Sequence, residues 1–104
     1  MRPKKVTVTG VGTSGWLPVD YKQDPMNIGI GCVLVSGTAT YSVEHTFDDI
    51  FDPAVSPVAF QNSGITAQTT SKDGNYAYPV RAIRLNVTAG AAPVVSMTMI
   101  QGLR

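Results

Sequence analysis

Hydrophobic and polar residues alternate with a period of two over several short segments, which is the pattern of strands that bury one face. The clearest segment is residues 38–46, where hydroxyl side chains and Glu44 separate apolar or aromatic ones. The residues of its apolar face are Ala39, Tyr41, Val43 and His45. Residues 5–9 alternate in the same way, with Val6 and Val8 on one face.

Further segments complete the predicted set of strands. Residues 28–35 are apolar on one face and carry two glycines and two valines on the other, which predicts a central strand covered on both faces. Residues 80–88 alternate except at Arg81, so we expect a bulge or the end of the strand there. Residues 94–101 form the last strand, and shorter strands are expected at 16–19 and 65–70.

Glycine and proline mark the connections between these segments. Ser36 and Gly37 predict a tight hairpin turn, and residues 94–101 are expected to pair back onto 80–88. The run Asp73-Gly74-Asn75 is typical of a turn. Residues 47–63 contain two prolines and predict an irregular loop, with one helical turn at 48–51.

Composition agrees with the β pattern. Valine and threonine, which are β-branched, far outnumber leucine, and the 10 glycines and 7 prolines leave no room for an ordinary helix. Six to eight short strands with short connections predict an all-β protein, an antiparallel two-sheet β-sandwich of the jelly-roll or immunoglobulin type. The 104 residues are expected to form a single domain, residues 1–104, with a short basic N-terminal arm at residues 1–5.

Charge excludes several classes of protein. Only 14% of residues are charged and the net charge is +1, which disfavours a disordered tail or a protein that coats DNA. No apolar run reaches the roughly 18 residues that span a bilayer. The N-terminal residues do not have the apolar core of an export signal. We therefore expect a soluble protein with no membrane and no specific nucleic acid among its partners.

No residue pattern predicts an enzyme, a metal site or a cofactor. His45 shares an apolar face, so a packed and hydrogen-bonded histidine is expected. Cys32, the single cysteine, is expected to be buried and unreactive. Asp48, Asp49 and Asp52 form an acidic cluster that favours turn or partner contacts, with a cation site as the alternative.

Aromatic and basic residues are the candidates for a protein–protein interface, because interfaces favour aromatic side chains. The aromatic residues either close the ends of the sandwich or contact a partner, and the basic arm is a further candidate for partner contact. The candidate residues are Arg2, Lys4, Lys5, Trp16, Tyr21, Phe47, Phe51, Tyr76 and Tyr78.

Several stretches of the chain resemble a family of small virion structural proteins of tailed bacteriophages. They are GWLPVD at 15–20, NIGI at 27–30, YSVEHTFDD at 41–49 and GNYAYPVRAIRLNV at 74–87. The resemblance implies a role in assembly and no catalytic or metal-binding residues.

The role that the resemblance implies is that of a capsid decoration or cement protein, which binds the assembled head and stabilises contacts between coat subunits. Its expected partners are the major capsid protein or other virion proteins, and a homo-oligomer, either dimer or trimer, would match the local symmetry of a capsid. The expected location is the capsid exterior, after assembly in the host cytoplasm. Alternatives are a neck, tail or fibre component, and a carbohydrate-binding module that uses Trp16, Tyr76 and Tyr78.

Overall fold

The computed structural model describes residues 4–19 and 27–101, and within these ranges the chain is built of β-strands without any helix. The strands are β1 (Lys4–Thr9), β2 (Gly12–Thr13), β3 (Leu17–Pro18), β4 (Ile28–Ser36), β5 (Thr40–Thr46), β6 (Phe60–Gln61), β7 (Lys72–Tyr76), β8 (Ala82–Ala89) and β9 (Val94–Gln101). The described residues therefore contain no helix that is long and apolar enough to cross a membrane.

The strands form two antiparallel sheets, which confirms the all-β, two-sheet prediction. The first sheet has the order β1-β9-β4-β7 and the second the order β2-β8-β5-β6, with β3 also paired to β8. Three of the nine strands in the described ranges contain only two residues. The other six agree with the six to eight strands that the pattern predicts.

The core lies between the two sheets and is filled by the faces that the alternation predicted. Tyr41, Val43 and His45 of β5 point into it, as do Ile28 and Ile30 of β4. The largest fully buried side chains are Tyr41, Tyr76, Ile28, Ile65, Ile83, Leu85, Met97 and Met99. Alternation therefore located the core-facing side of β1, β4, β5 and β8 correctly.

β4 is a central strand, as predicted, because it lies between β9 and β7. The expectation that both of its faces are covered is wrong for the described residues. Gly29, Val33 and Val35 are exposed on the face away from the core.

Both hairpins predicted from the sequence are wrong. β4 and β5 belong to different sheets, and so do β8 and β9. The turn at Ser36 and Gly37 therefore begins a crossing from the first sheet to the second, and residues 90–93 carry the chain back. β9 pairs with β1 and β4 instead of β8.

The two crossings lie side by side and are hydrogen-bonded to each other. The Thr38 amide donates to the Ala91 carbonyl at 3.2 Å, and the Ala91 amide donates to the Thr38 hydroxyl at 3.0 Å. Gly37 has φ +71° and Gly90 has φ +145°, which both favour glycine. A Cβ atom on Gly37 would collide with the Ala92 carbonyl oxygen, and one on Gly90 with the Thr38 carbonyl oxygen.

Tertiary packing overrides the local signals between residues 62 and 76. Asp73, Gly74 and Asn75 lie inside β7 instead of forming a turn, and Ile65 packs against Gly74, where a Cβ would lie 2.9 Å from the Ile65 Cδ1 atom. The strand expected at 65–70 is reduced to one bridge between Gln68 and Tyr41. Residues 47–63 are irregular as predicted, apart from β6. In place of the expected helical turn, residues 49–52 form a single hydrogen-bonded turn, in which the Asp52 amide donates to the Asp49 carbonyl at 3.4 Å.

Arg81 lies immediately before β8, so the second of the two alternatives for this residue, the end of the strand, is the one observed. Its amide donates to the Thr46 carbonyl at 2.9 Å.

Replacing Gly90 with alanine is expected to lower the free energy of unfolding by at least about 2 kcal/mol, because the new Cβ collides with backbone and the φ angle is strained. Urea unfolding would measure the change. Gly15→Ala is the matched control, since a Cβ at Gly15 meets nothing within 4 Å. Equal stability of the two variants would contradict the role given to the crossing.

Candidate protein-interaction site

The predicted interface residues do not form one site. Phe47, Tyr76 and Tyr78 come together around His45 at one end of the sandwich. Trp16 lies apart from them, against Arg84. Phe51 makes no ring contact with a described residue.

The aromatic patch, defined as Phe47, Phe60 and Tyr78, is a half-exposed group of rings. The exposed fractions are 50% for Phe47, 49% for Phe60 and 46% for Tyr78. The centroids of Phe47 and Phe60 lie 5.7 Å apart with planes tilted by 59°. Phe60 was missed by the sequence reasoning, although it lies in the same predicted loop as Phe47 and Phe51.

His45 contacts all three rings of the aromatic patch. Its ring centroid lies 5.5 Å from that of Phe47, 5.9 Å from that of Phe60 and 5.8 Å from that of Tyr78. β5 presents His45 on its core face, and residues 60–61 pair with the end of β5, which brings Phe60 directly opposite His45. The three exposed rings are therefore fixed by one buried ring.

His45 is fixed in turn by Tyr76. The His45 Nδ1 atom and the Tyr76 hydroxyl share a hydrogen bond of 2.7 Å, and Tyr76 is fully buried. Burial lowers the pKa of His45 and raises the pKa of the Tyr76 hydroxyl, so both groups are neutral near pH 7. This arrangement confirms the prediction of a packed, hydrogen-bonded histidine.

Trp16 belongs to a polar network on the outer face of the second sheet. The Arg84 guanidinium carbon lies 4.4 Å from the centre of the Trp16 ring, a cation–π contact. Arg84 Nε donates to Glu44 Oε1 at 2.7 Å, and Asn86 Nδ2 donates to Glu44 Oε2 at 3.1 Å. Trp16 therefore packs against the guanidinium that pairs with the buried Glu44 carboxylate.

The acidic cluster holds the loop after β5 in shape. Asp48 Oδ2 accepts from the Val58 amide at 2.8 Å, Asp49 Oδ1 from the Phe51 amide at 2.9 Å, and Asp52 Oδ1 from the Ala54 amide at 2.9 Å. These contacts agree with the predicted turn chemistry. In the described part of the chain, no three acidic, histidine or cysteine side chains come together as metal ligands.

The remaining predicted residues lie outside the patch. Lys4 and Lys5, assigned to a basic arm, are the first residues of β1, and Lys4 Nζ donates to the Pro18 carbonyl at 2.8 Å. Arg2 and Tyr21 lie outside the described residues. Cys32 is buried as predicted, and burial raises the pKa of its thiol to about 12.

Comparisons with known proteins identify the fold and leave the family open. No family model and no curated protein matches the chain. The chain is similar in fold to the SPBc2 prophage-derived protein YomS, with TM-score 0.54 and 13% identity over 98% of this chain and 96% of that one. A weaker likeness, with TM-score 0.47 and 13% identity, covers 99% of this chain and 88% of a Bacillus endospore appendage from a family of disulfide-linked pili.

The buried His45 predicts a loss of stability in mild acid. His45 has its ordinary pKa of about 6.5 in the unfolded chain and a lower pKa in the folded protein, so the unfolded chain binds more protons between the two values. The free energy of unfolding is therefore highest above about pH 6.5 and falls as the pH is lowered through this window. The slope is at most about 1.4 kcal/mol per pH unit.

Urea unfolding between about pH 7.5 and 5.5 would measure this slope. The matched variant is His45→Gln, which does not titrate in this range, and its slope is expected to be clearly smaller. Identical slopes would assign the acid sensitivity to other groups.

Proposed function

We propose that this chain is a structural protein of a bacteriophage virion and that it acts as a capsid decoration or cement protein. Two lines support the proposal: the resemblance of residues 41–49 and 74–87 to small phage virion proteins, and a body built of two sheets that presents a fixed aromatic surface. The similarity of fold to a prophage-derived protein is in keeping with both.

The aromatic patch is the observation that carries the proposal. Aromatic anchors dominate the binding energy of protein interfaces, and rings that are already fixed lose little conformational entropy when a partner covers them. Phe47, Phe60 and Tyr78 are half exposed yet held by His45. The patch is thus a preorganised surface for a protein partner, for which we propose the coat protein of the assembled head.

Binding of this kind stabilises a shell by mass action. A protein that binds only the assembled head lowers the free energy of that state relative to free coat subunits, and the effect grows with the concentration of the bound protein. No chemical step is required of the binding protein.

A neck, tail or fibre component is the alternative within the virion. Quantitative mass spectrometry of purified particles separates the two, because a decoration protein is present in amounts comparable to the coat protein. A neck or tail component is present as a small fraction of that amount, and absence from particles would contradict any virion role.

The geometry disfavours a carbohydrate-binding surface made from Trp16, Tyr76 and Tyr78. Tyr76 is fully buried, and its ring plane lies at 82° to that of Tyr78. The Arg84 guanidinium lies over the Trp16 ring, 4.4 Å from its centre. These three rings therefore provide no flat platform for a sugar.

Replacing Phe60 with serine is expected to weaken binding to heads at least about tenfold, because the substitution removes an interface anchor. Binding would be measured by cosedimentation with heads purified from a phage mutant that lacks this protein. Val11→Ser is the matched control, since Val11 is exposed outside the patch. Equal binding by the two variants, both folded by thermal melting, would remove the patch from the proposal.

A further inference from the structure

The outer face of the first sheet, which points away from the core, is partly open to solvent along its two central strands, where Gly29, Val33 and Ile100 are exposed and Ser96 is buried beside Val33. In one row of this face, Ile100 of β9 lies directly opposite Gly29 of β4. In another row, Ser96 of β9 lies opposite Val33 of β4. Ile100 and Val33 are both about half exposed, so each apolar side chain stands beside a small neighbour.

Gly29 and Gly31 are not required by the fold of one chain. Neither has a positive φ, a Cβ on Gly31 would meet nothing within 4 Å, and a Cβ on Gly29 would meet only the Ile100 carbonyl oxygen at 3.9 Å. Glycine weakens the interior of a strand, and there it often marks a bulge, a bend or a close approach by another molecule. The pairing of β4 with β9 is regular from Ile28 to Leu34, so neither glycine marks a bulge. Two such glycines in a central strand therefore point to a partner on this face.

Two opposite charges on the same face lie at equal distances from its centre, one on each edge strand. One row runs Lys5, Thr98, Gly31, Asp73 across β1, β9, β4 and β7. Lys5 and Asp73 are exposed and lie three strand spacings apart, about 14 Å, which is too far for an ion pair within one chain. Among the described residues, neither takes part in an ion pair.

We propose that this outer face is a two-fold interface between two copies of the chain, with the symmetry axis parallel to the strands and midway between β4 and β9. The rotation places β1 of one copy over β7 of the other, so that Lys5 meets Asp73 of the partner subunit, and the reverse pair forms at the opposite edge. The occupant that best complements this face is therefore the same face of a second copy.

The same rotation matches the shapes of the central strands. Ile100 meets the partner's Gly29, Thr98 meets the partner's Gly31, and Ser96 meets the partner's Val33. Each contact joins a larger side chain to a smaller one, which lets the two sheets approach more closely than the usual spacing of about 10 Å.

The available area indicates a weak dimer. A face of four strands and about six residues of each buries about 1,000 Å² in total, at the lower limit of specific interfaces. The inference concerns the isolated protein and does not rest on the proposed virion role, so either can fail without the other.

The first test is Gly31→Val, measured by sedimentation equilibrium over a wide range of protein concentration. The valine fits within one chain, so the thermal midpoint is expected to stay the same or rise, whereas the dimer dissociation constant rises at least about tenfold. Gly15→Val is the control, because Gly15 also has free space around it but lies in the connection between β2 and β3. A wild-type protein that stays monomeric, or a Gly31→Val variant that dimerises like wild type, would overturn the proposal.

The second test exchanges the charges. Lys5→Asp and Asp73→Lys are each expected to weaken the dimer about fivefold at low salt, because two like-charged contacts replace two ion pairs. The double variant restores both pairs with reversed polarity and should recover most of the affinity. Failure of the double variant to recover affinity would overturn this geometry.

Discussion

The fold depends on the place where the chain crosses twice between its two sheets. The crossings at residues 37–39 and 90–93 are bonded to each other through Thr38 and Ala91. β4 and β9 lie on one side of the two crossings, and β5 and β8 lie on the other. The crossings therefore make β4 and β9 neighbours in the first sheet and β5 and β8 neighbours in the second. Pairing of β5 with β8 brings His45 opposite Ile83 in the second sheet, and pairing of β4 with β9 places Ile100 and Val33 beside small residues on the outer face of the first.

The sequence predicted the longer strands other than β7 because alternation is a local property. The core-facing sides of β1, β4, β5 and β8 could each be assigned from a few consecutive residues. The pairing of strands could not be assigned in this way, because a glycine such as Gly37 with positive φ is compatible with a hairpin turn and with a crossing between sheets. The backbone of Ala91 and Ala92, which packs closely against Gly37, is far away in the sequence, so no local pattern shows that a crossing forms here.

The candidate site was predictable in part for the same reason. His45 lay on an apolar face, so its packing followed from its own strand. Phe60 was missed because its position depends on an irregular loop that returns to pair with the end of β5. The contact of Trp16 with Arg84 was not predictable, because the sequence does not show that β3 pairs with β8, which brings Trp16 over Arg84.

The aromatic patch and the proposed two-fold interface on the outer face of the first sheet are related by the geometry of the fold. The aromatic patch lies at the end of the sandwich where β5 and β7 finish, because Phe47 follows β5 and Tyr78 follows β7. A two-fold axis parallel to the strands leaves that end pointing in one direction in both copies. A dimer built in this way carries two aromatic patches on the same side, so that it can bind two equivalent sites on a repeating surface. The second contact is then intramolecular, which raises the overall affinity without any new type of contact.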